Sequence, residues 1–175
     1  MIKKIYKLLY KNLISANKYA KKSGVVFGNN CKFLTKKFGS EPYLIKIGDD
    51  FYSSSNVQFI THDGSVNVLR NKYENYNNID IFKPIVIGNN VFLGYGTVIL
   101  PGTIIGDNVI VGAYSVVKGE LISDSVYAGI PAKYICSLDE YTYRNKSFFI
   151  PTKRMNYREK KEYILNWVKT NYPEF

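Results

Sequence analysis

The sequence predicts an all-β protein, a parallel β-helix with an external loop and an α-helix at each end. Three features support this: a six-residue repeat, one interruption of that repeat, and helical patterns in both terminal segments. A period of six matches neither the 3.6-residue period of an α-helix nor the alternation of a hairpin strand. It is typical of a parallel β-helix, in which each hexad supplies one short strand and one corner.

The repeat is clearest between residues 87 and 122, which divide into the hexads IGNNVF, LGYGTV, ILPGTI, IGDNVI, VGAYSV and VKGELI. Every first position is aliphatic, and every fifth position is small or apolar. These two positions are predicted to point inward and to stack on equivalent residues one coil away. Glycine, which occupies most of the second positions, suits a corner because it adopts positive φ or leaves room for a neighbouring coil.

The same phase continues toward the N-terminus, in hexads that begin at residues 27, 47, 53, 59 and 81. The stretch from residue 65 to residue 80, SVNVLRNKYENYNNID, has no six-residue register. We expect a loop to leave the helix there, and long loops inside compact folds are often functional. The predicted β-helix domain therefore covers residues 25–136, with its external loop at 65–80.

Both ends of the chain carry helical patterns. Residues 1–24 combine aliphatic residues at helical spacing with seven lysines and no acidic residue. This pattern predicts an amphipathic helix that caps the first coil, and it would also suit contact with an anionic membrane surface. Residues 137–175 are predicted to form a helical extension, in which Asn156 and Glu159 have the spacing of a capping box.

Composition limits the functional classes. The chain has 24 Lys+Arg against 14 Asp+Glu, and its net charge of +10 favours polyanionic partners such as phosphate-bearing molecules. The sequence shows no zinc-finger spacing, helix-turn-helix signal or aromatic-basic RNA-binding motif, so nucleic acid is not an expected partner. Two cysteines are too few for a disulfide framework, and lysines interrupt every apolar run of the N-terminus. We therefore expect a cytoplasmic protein without a membrane span.

The single histidine, His62, lies in the segment FITHDG, where the chain leaves the coil and enters the loop. An imidazole has a pKa of about 6.5 in peptides and is therefore suited to proton transfer at neutral pH. A corner next to a loop can project this side chain away from the core of the coil. His62 is therefore a candidate catalytic residue, and the alternative is a histidine with a surface or packing role.

Three parts of the sequence resemble the hexapeptide-repeat acyltransferases: the run from Ile87 to Val117, the segment THDG followed by a loop, and the closing AGIPAK. The resemblance covers most of the chain, from about residue 25 to residue 136. It implies a left-handed parallel β-helix, a homotrimer with active sites between neighbouring prisms, and acetyl transfer from acetyl-CoA to a hydroxyl or amine. The detailed pattern is most similar to the sugar O-acetyltransferases of capsule, O-antigen and exopolysaccharide clusters.

In this family the histidine at the matching position is the general base, so the resemblance implies that role for His62, in a direct transfer without an acyl-enzyme. Glu41 is a candidate for holding the other ring nitrogen, since a base works better when that nitrogen is held. Ser40, Asn56 and Asp63 are candidates for binding the sugar acceptor, although Asp63, as a chain neighbour of His62, could point away.

The resemblance also implies that the pantetheine arm of acetyl-CoA passes along the later coils. The residues expected to line this arm are Gly94, Tyr95, Gly112, Ala113 and Ser115. Lys118 and Lys133 are expected to face the phosphates, as point charges suited to that contact. Many relatives have Thr-Lys just after the stretch that matches GAYSVV, whereas this chain has Lys118-Gly119, so its lysine is displaced by one residue.

Other functional classes can be weighed against this one. β-Helical carbonic anhydrases need three histidines on zinc, so a chain with one histidine is excluded from that class, and no metal site is expected. A non-catalytic β-helix needs neither the histidine nor the loop, and the threonine ladders of ice-binding helices are absent. An antibiotic or other small-molecule acetyltransferase shares both features, so this alternative stays open beside a sugar acetyltransferase.

Overall fold

The computed structural model describes residues 13–174. The helices in this range are α1 (Ala16–Ser23), α2 (Val66–Lys72), α3 (Leu138–Asn145) and α4 (Tyr157–Asn171). The strands are β1 (Val26–Phe27), β2 (Lys32–Phe33), β3 (Ile45–Ile47), β4 (Tyr52–Ser53), β5 (Gln58–Phe59), β6 (Ile85–Ile87), β7 (Phe92–Leu93), β8 (Val98–Ile99), β9 (Ile104–Ile105), β10 (Val109–Val111), β11 (Val116–Val117), β12 (Glu120–Leu121), β13 (Ser125–Ala128) and β14 (Lys133–Ser137). The chain divides into two compact units, one ending at Tyr141 and one beginning at Thr142.

The strands form the three faces of a parallel β-helix, as the repeat predicts. Sheet A contains β1, β3, β6, β9 and β12, sheet B contains β2, β4, β7, β10, β13 and β14, and sheet C contains β5, β8 and β11. Successive hexads supply one strand to each sheet in turn, so three hexads complete one coil. Leu93 accordingly lies opposite Val111, three hexads later, in a parallel register. Only the last pair of sheet B, β13 with β14, is antiparallel among the named strand pairs of the described residues.

The core consists of the two inward positions of each hexad. All first and fifth positions between residues 87 and 121 are buried, which confirms the predicted stacking: Ile87, Val91, Leu93, Thr97, Ile99, Thr103, Ile105, Val109, Val111, Ser115, Val117 and Leu121. The buried hydroxyls are satisfied locally, since Thr97 Oγ1 donates to the Gly94 carbonyl at 2.8 Å and Thr103 Oγ1 to the Leu100 carbonyl at 2.7 Å. Each such bond ties a fifth position to the preceding corner, so these polar groups stabilise the coil instead of weakening it.

Glycine at the second position allows the coils to approach each other at the corners. A Cβ atom at Gly94 would lie 2.5 Å from the backbone nitrogen of Ala113 in the next coil. This distance is too short for a contact of a Cβ atom, so a side chain does not fit at this position. At the corners between sheets A and B, Asn90 and Asn108 adopt left-handed φ values of 52° and 56°, which asparagine tolerates better than most residues. The choice of residue at each corner therefore follows from coil spacing and backbone conformation.

Helix α1 covers the first coil. Ala20 is fully buried in the hydrophobic core, and Asn17 Nδ2 donates to the Cys31 carbonyl at 2.6 Å while Asn17 Oδ1 accepts from the Phe33 backbone N–H. This part of the predicted N-terminal helix is therefore a cap. Residues 1–12, which carry the rest of that prediction and of the predicted membrane contact, lie outside the described residues.

The segment 65–80 leaves the sheets, as predicted, but it is not an irregular loop. It contains α2 and a 3-10 turn at Glu74–Tyr76, and the side chain of Val66, the first residue of α2, is fully buried. The chain returns beside its point of departure, because the Asp63 N–H donates to the Ile81 carbonyl at 2.9 Å. We call residues 65–80 the inserted loop; its base is closed by antiparallel pairing.

The second unit contains α4, which begins with the predicted capping box. Asn156 Oδ1 accepts from the Glu159 N–H at 3.0 Å, and Glu159 Oε2 accepts from the Asn156 N–H at 3.0 Å. Between residues 13 and 174, the helices are too short or too polar to span a bilayer.

Candidate active site

Two of the three edges of the prism carry the predicted site residues. We call the corners between sheets C and A the histidine edge; it contains residues 39–41, 60–64, 100–102 and 118–119. We call the corners between sheets B and C the tyrosine edge; it contains residues 54–56, 94–96 and 112–114. These definitions follow from the order in which the strands enter the three sheets.

His62 lies at the base of the inserted loop, on the histidine edge. Its side chain is 33% exposed, but its Nε2 atom is buried and lies 3.3 Å from Asp80 Oδ1. The alignment of these two atoms falls short of a hydrogen bond, and no other described residue bonds to Nε2. The imidazole ring also packs on Phe82, with 4.7 Å between ring centroids. His62 is thus a partly exposed side chain held from one side by the returning end of the loop.

Asp80 is itself held by the loop. The Arg70 guanidinium, from α2, contacts the same Asp80 Oδ1 atom through Nη2, and Arg70 Nε donates to the Ile79 carbonyl at 2.7 Å. Neither Asp80 nor Arg70 is among the predicted site residues. No local motif marks them, because the segment lacks a repeat and its return beside His62 depends on tertiary pairing.

Glu41 lies near His62 but does not perform the expected contact. Glu41 Oε2 accepts hydrogen bonds from Ser40 Oγ at 2.7 Å and from Thr61 Oγ1 at 3.2 Å. The carboxylate is therefore engaged with the chain neighbour of His62, and the carboxylate found beside the ring is that of Asp80. The expectation that Glu41 holds a ring nitrogen is corrected accordingly, whereas the acceptor-binding role of Ser40 stays a prediction.

Asp63 faces the start of the inserted loop. Its Oδ1 atom accepts from the Ser65 backbone N–H at 3.0 Å. Hydrogen bonds from the Ser65 hydroxyl and backbone N–H hold the pKa of Asp63 below its usual value. This carboxylate is therefore ionised at neutral pH and occupied by the turn that begins the loop.

The tyrosine edge carries an exposed polar and aromatic cluster. Asn56 Nδ2 donates to Tyr95 Oη at 2.6 Å, and the rings of Tyr95 and Tyr114 pack edge to face at 5.4 Å between centroids. Tyr114, which is 65% exposed, is not among the predicted site residues. Asn56 is therefore on a different edge from His62, and Ala113 is exposed beside the cluster.

Two predicted lining residues are buried. Ser115 is fully buried, because it occupies a fifth position; its Oγ donates to the Gly112 carbonyl at 2.8 Å and accepts from the Gly129 N–H at 3.1 Å. Gly94 is also buried and is required for contact with the next coil. Ser115 is inaccessible in the chain, so its expected contact with a pantetheine arm is corrected, whereas the contact of Gly94 stays a prediction.

The two predicted phosphate-binding lysines are exposed on different edges. Lys118 follows β11 on the histidine edge, whereas Lys133 begins β14 after the turn that follows β13. The Ala132 N–H donates to the Val116 carbonyl at 2.8 Å, which fixes the start of β14 near the tyrosine edge. A single chain therefore does not assemble His62 and the complete predicted acetyl-CoA set into one site.

Comparison with known proteins identifies the family. A family model described as bacterial transferase hexapeptide (six repeats) matches residues 84–119. Protein CapG from Staphylococcus aureus is 46% identical over 173 residues, which cover 97% of this chain and 98% of CapG. This chain belongs to the hexapeptide-repeat acetyltransferase family. The family and enzyme class expected from the sequence are thereby confirmed.

Two further members of the family are similar over shorter ranges. Galactoside O-acetyltransferase from Escherichia coli K12 is 34% identical over 110 residues, covering 62% of this chain and half (50%) of that enzyme. The structure of a hexapeptide-repeat acetyltransferase from Vibrio cholerae matches with a TM-score of 0.56 and 26% identity, covering 72% of this chain and 82% of that one. These matches confirm the left-handed parallel β-helix.

Proposed function

We propose that this protein transfers the acetyl group of acetyl-CoA to a sugar hydroxyl, with His62 as the general base. The observation that carries this proposal is the position of the single histidine, partly exposed at the base of the inserted loop and beside a carboxylate. Membership of an acetyltransferase family supports the reaction, and the similarity to a galactoside O-acetyltransferase supports a sugar acceptor.

The proposed reaction requires His62 to accept one proton and then to release it. Acetyl-CoA supplies a thioester carbonyl for attack and leaves as a thiol. His62 accepts the proton of the acceptor hydroxyl as the new C–O bond forms, and it returns that proton to the sulfur as the C–S bond breaks. One base therefore suffices, and no acyl-enzyme is required.

The separation of the two edges supports a site shared between neighbouring copies in a homotrimer. His62 lies on the histidine edge, while the exposed residues that suit an extended arm, Tyr95 and Ala113, lie on the tyrosine edge. In a cyclic assembly, one edge of each copy faces a different edge of the next. Such an arrangement would bring His62 of one copy to the tyrosine edge of its neighbour.

The proposed function is tested by measuring thiol release from acetyl-CoA across a panel of acceptors. The panel contains free sugars, nucleotide sugars, lipid-linked saccharides, a macrolide and simple amines. We expect thiol release above the background hydrolysis rate with at least one of the saccharides. Release with the macrolide or an amine alone would assign the protein to the small-molecule alternative and contradict a sugar acceptor.

Lys133→Glu is expected to raise the KM for acetyl-CoA and to leave the KM for the acceptor nearly unchanged, because the substitution places a negative charge where the phosphates are proposed to bind. Lys118→Glu, on the histidine edge, is also expected to raise the KM for acetyl-CoA. Activity of the wild type should fall with added salt, since exposed contacts of this kind are screened.

The matched control for these lysines is Lys32→Glu. Lys32 is exposed on β2, at the opposite end of sheet B from β14, so the same change of charge should leave both KM values unaltered. An unchanged KM for acetyl-CoA in both Lys118→Glu and Lys133→Glu would place the phosphates elsewhere.

A further inference from the structure

We propose that Asp80 is a positioning residue for His62: its carboxylate keeps the ring proton on Nε2, so that Nδ1 is the atom that accepts the proton of the acceptor. The catalytic part of this inference rests on the function proposed above. The assignment of the two ring nitrogens rests on the geometry alone.

Burial separates the two nitrogens of the ring. Nε2 is buried against the returning end of the inserted loop, where an acceptor hydroxyl cannot reach it, although the side chain as a whole is 33% exposed. Among the buried side-chain nitrogen and oxygen atoms of residues 13–174, His62 Nε2 is the one without a hydrogen bond. Nδ1 has no hydrogen-bond partner among the described residues either and is not buried. It is therefore the nitrogen open to a substrate.

The chemistry of the neighbouring atom selects the tautomer. An ionised carboxylate has acceptors only, so its approach to 3.3 Å is favourable when Nε2 carries hydrogen and unfavourable when Nε2 carries a lone pair. The Arg70 guanidinium contacts the same Oδ1 atom, so this oxygen lies between two nitrogen groups that can donate to it. With the proton on Nε2, the lone pair resides on Nδ1. When Nδ1 accepts the acceptor proton, the positive charge develops beside a carboxylate, which stabilises it.

The other carboxylates near His62 have different partners. Glu41 accepts hydrogen bonds from Ser40 and Thr61, and Asp63 accepts from Ser65. Asp80 is the carboxylate whose oxygen lies within ion-pair distance of the ring among the described residues. Asp80 of the inserted loop, and not Glu41, therefore lies where a carboxylate can position the ring.

This assignment gives the inserted loop a function. Val66 is buried at the start of α2, Arg70 contacts Asp80 and donates to the Ile79 carbonyl, and the ring of Phe82 packs on His62. Backbone pairing on both sides of the base, including the bond from the Lys83 N–H to the Thr61 carbonyl at 3.0 Å, fixes the returning chain. The interruption of the repeat therefore delivers a carboxylate to the one corner that carries a histidine.

The tautomer can be measured directly because the chain contains a single histidine. In untagged protein labelled with ¹⁵N-histidine, a two-bond ¹H–¹⁵N correlation spectrum at pH 8 reports one imidazole. We expect the Nε2–H form in the wild type. Observation of the Nδ1–H form would overturn the proposal without any variant, since the ring proton would then lie on the exposed nitrogen and not beside Asp80.

Kinetics test the role of Asp80 itself. Asp80→Asn is expected to lower kcat by about 10–100-fold with little change in KM, by analogy with the loss found when the hydrogen-bonding partners of metal-bound histidines are replaced. Asp80→Glu should recover part of the lost turnover, and Arg70→Lys should lose less than Asp80→Asn. Glu74→Gln is the matched control, since it removes a negative charge from an exposed position of the same loop and should leave kcat unchanged.

The outcomes distinguish the two proposals. Full kcat in Asp80→Asn, together with a large loss in a His62 variant, would overturn the role of Asp80 and retain the proposed function. Full activity in the His62 variants would overturn the proposed function, while an Nε2–H tautomer would still support the contact. If Asp80→Asn does not fold, equal activity of Asp80→Glu, Arg70→Lys and the wild type would count against the proposal.

Discussion

His62→Ala is expected to lower the turnover of acetyl transfer by about 10²–10⁴-fold, the usual contribution of a positioned general base. The fold and the affinity for acetyl-CoA should be retained, because His62 occupies a corner and no core layer. Removal of the ring leaves Asp80 paired with Arg70, so the substitution does not create an unpaired buried charge. Steady-state thiol release gives kcat, and isothermal titration with CoA gives the affinity.

His62→Asn is the control for packing. An amide of similar size keeps polar contact with the loop but cannot take up the proton, so its turnover should be as low as that of His62→Ala. Retention of more than about a tenth of wild-type turnover in either folded variant would lie above the range for a general base and contradict this role. Circular dichroism and sedimentation establish that each variant is folded.

Mixed oligomers of two inactive variants are expected to regain activity. One chain carries His62→Ala and leaves the tyrosine edge intact; the other carries Ala113→Trp, which fills the proposed path of the pantetheine arm at an exposed position. In a cyclic trimer, a shared site is intact when a copy with His62 faces a copy with Ala113. About a quarter of the sites in an equal random mixture meet this condition. Co-expression with two different tags, followed by purification on both, isolates the mixed species for the thiol-release assay.

The control mixes His62→Ala with His62→Asn, which should stay inactive in every combination. Sedimentation must give about three times the chain mass of 20.1 kDa for each variant, so that a loss of assembly is not mistaken for a loss of chemistry. A wild-type chain that is monomeric at micromolar concentration, or mixed trimers without activity, would contradict a site shared between edges.

The repeat determines most of the fold because each position has one local requirement. The side chains of Ile87 and Val91 can be buried together only when the first and fifth positions face inward, and Gly94 is required where two corners touch. The same rule already places Ser115 inside, since it is a fifth position. Its assignment to the surface of a groove follows the resemblance and disagrees with the periodicity.

The candidate base is also visible in the sequence, because His62 is the single histidine and lies where the register ends. The partner of that base is not visible. Asp80 lies at the far end of a segment without a repeat, and only the antiparallel return beside Thr61 and Asp63, together with Arg70 on α2, brings its carboxylate to Nε2.

The sequence by itself therefore determines the coil, its inward positions and the corner that carries the histidine, because these depend on contacts repeated at a constant spacing. The tertiary structure decides which carboxylate faces the ring and which prism edge carries each predicted residue. The carboxylate beside the ring depends on where the inserted loop rejoins the coil. The edge that carries a residue depends on which two sheets its corner connects. Glu41 and Asp80 both carry a carboxylate, so their side-chain chemistry does not distinguish them. They differ in the partners that the fold places beside each carboxylate.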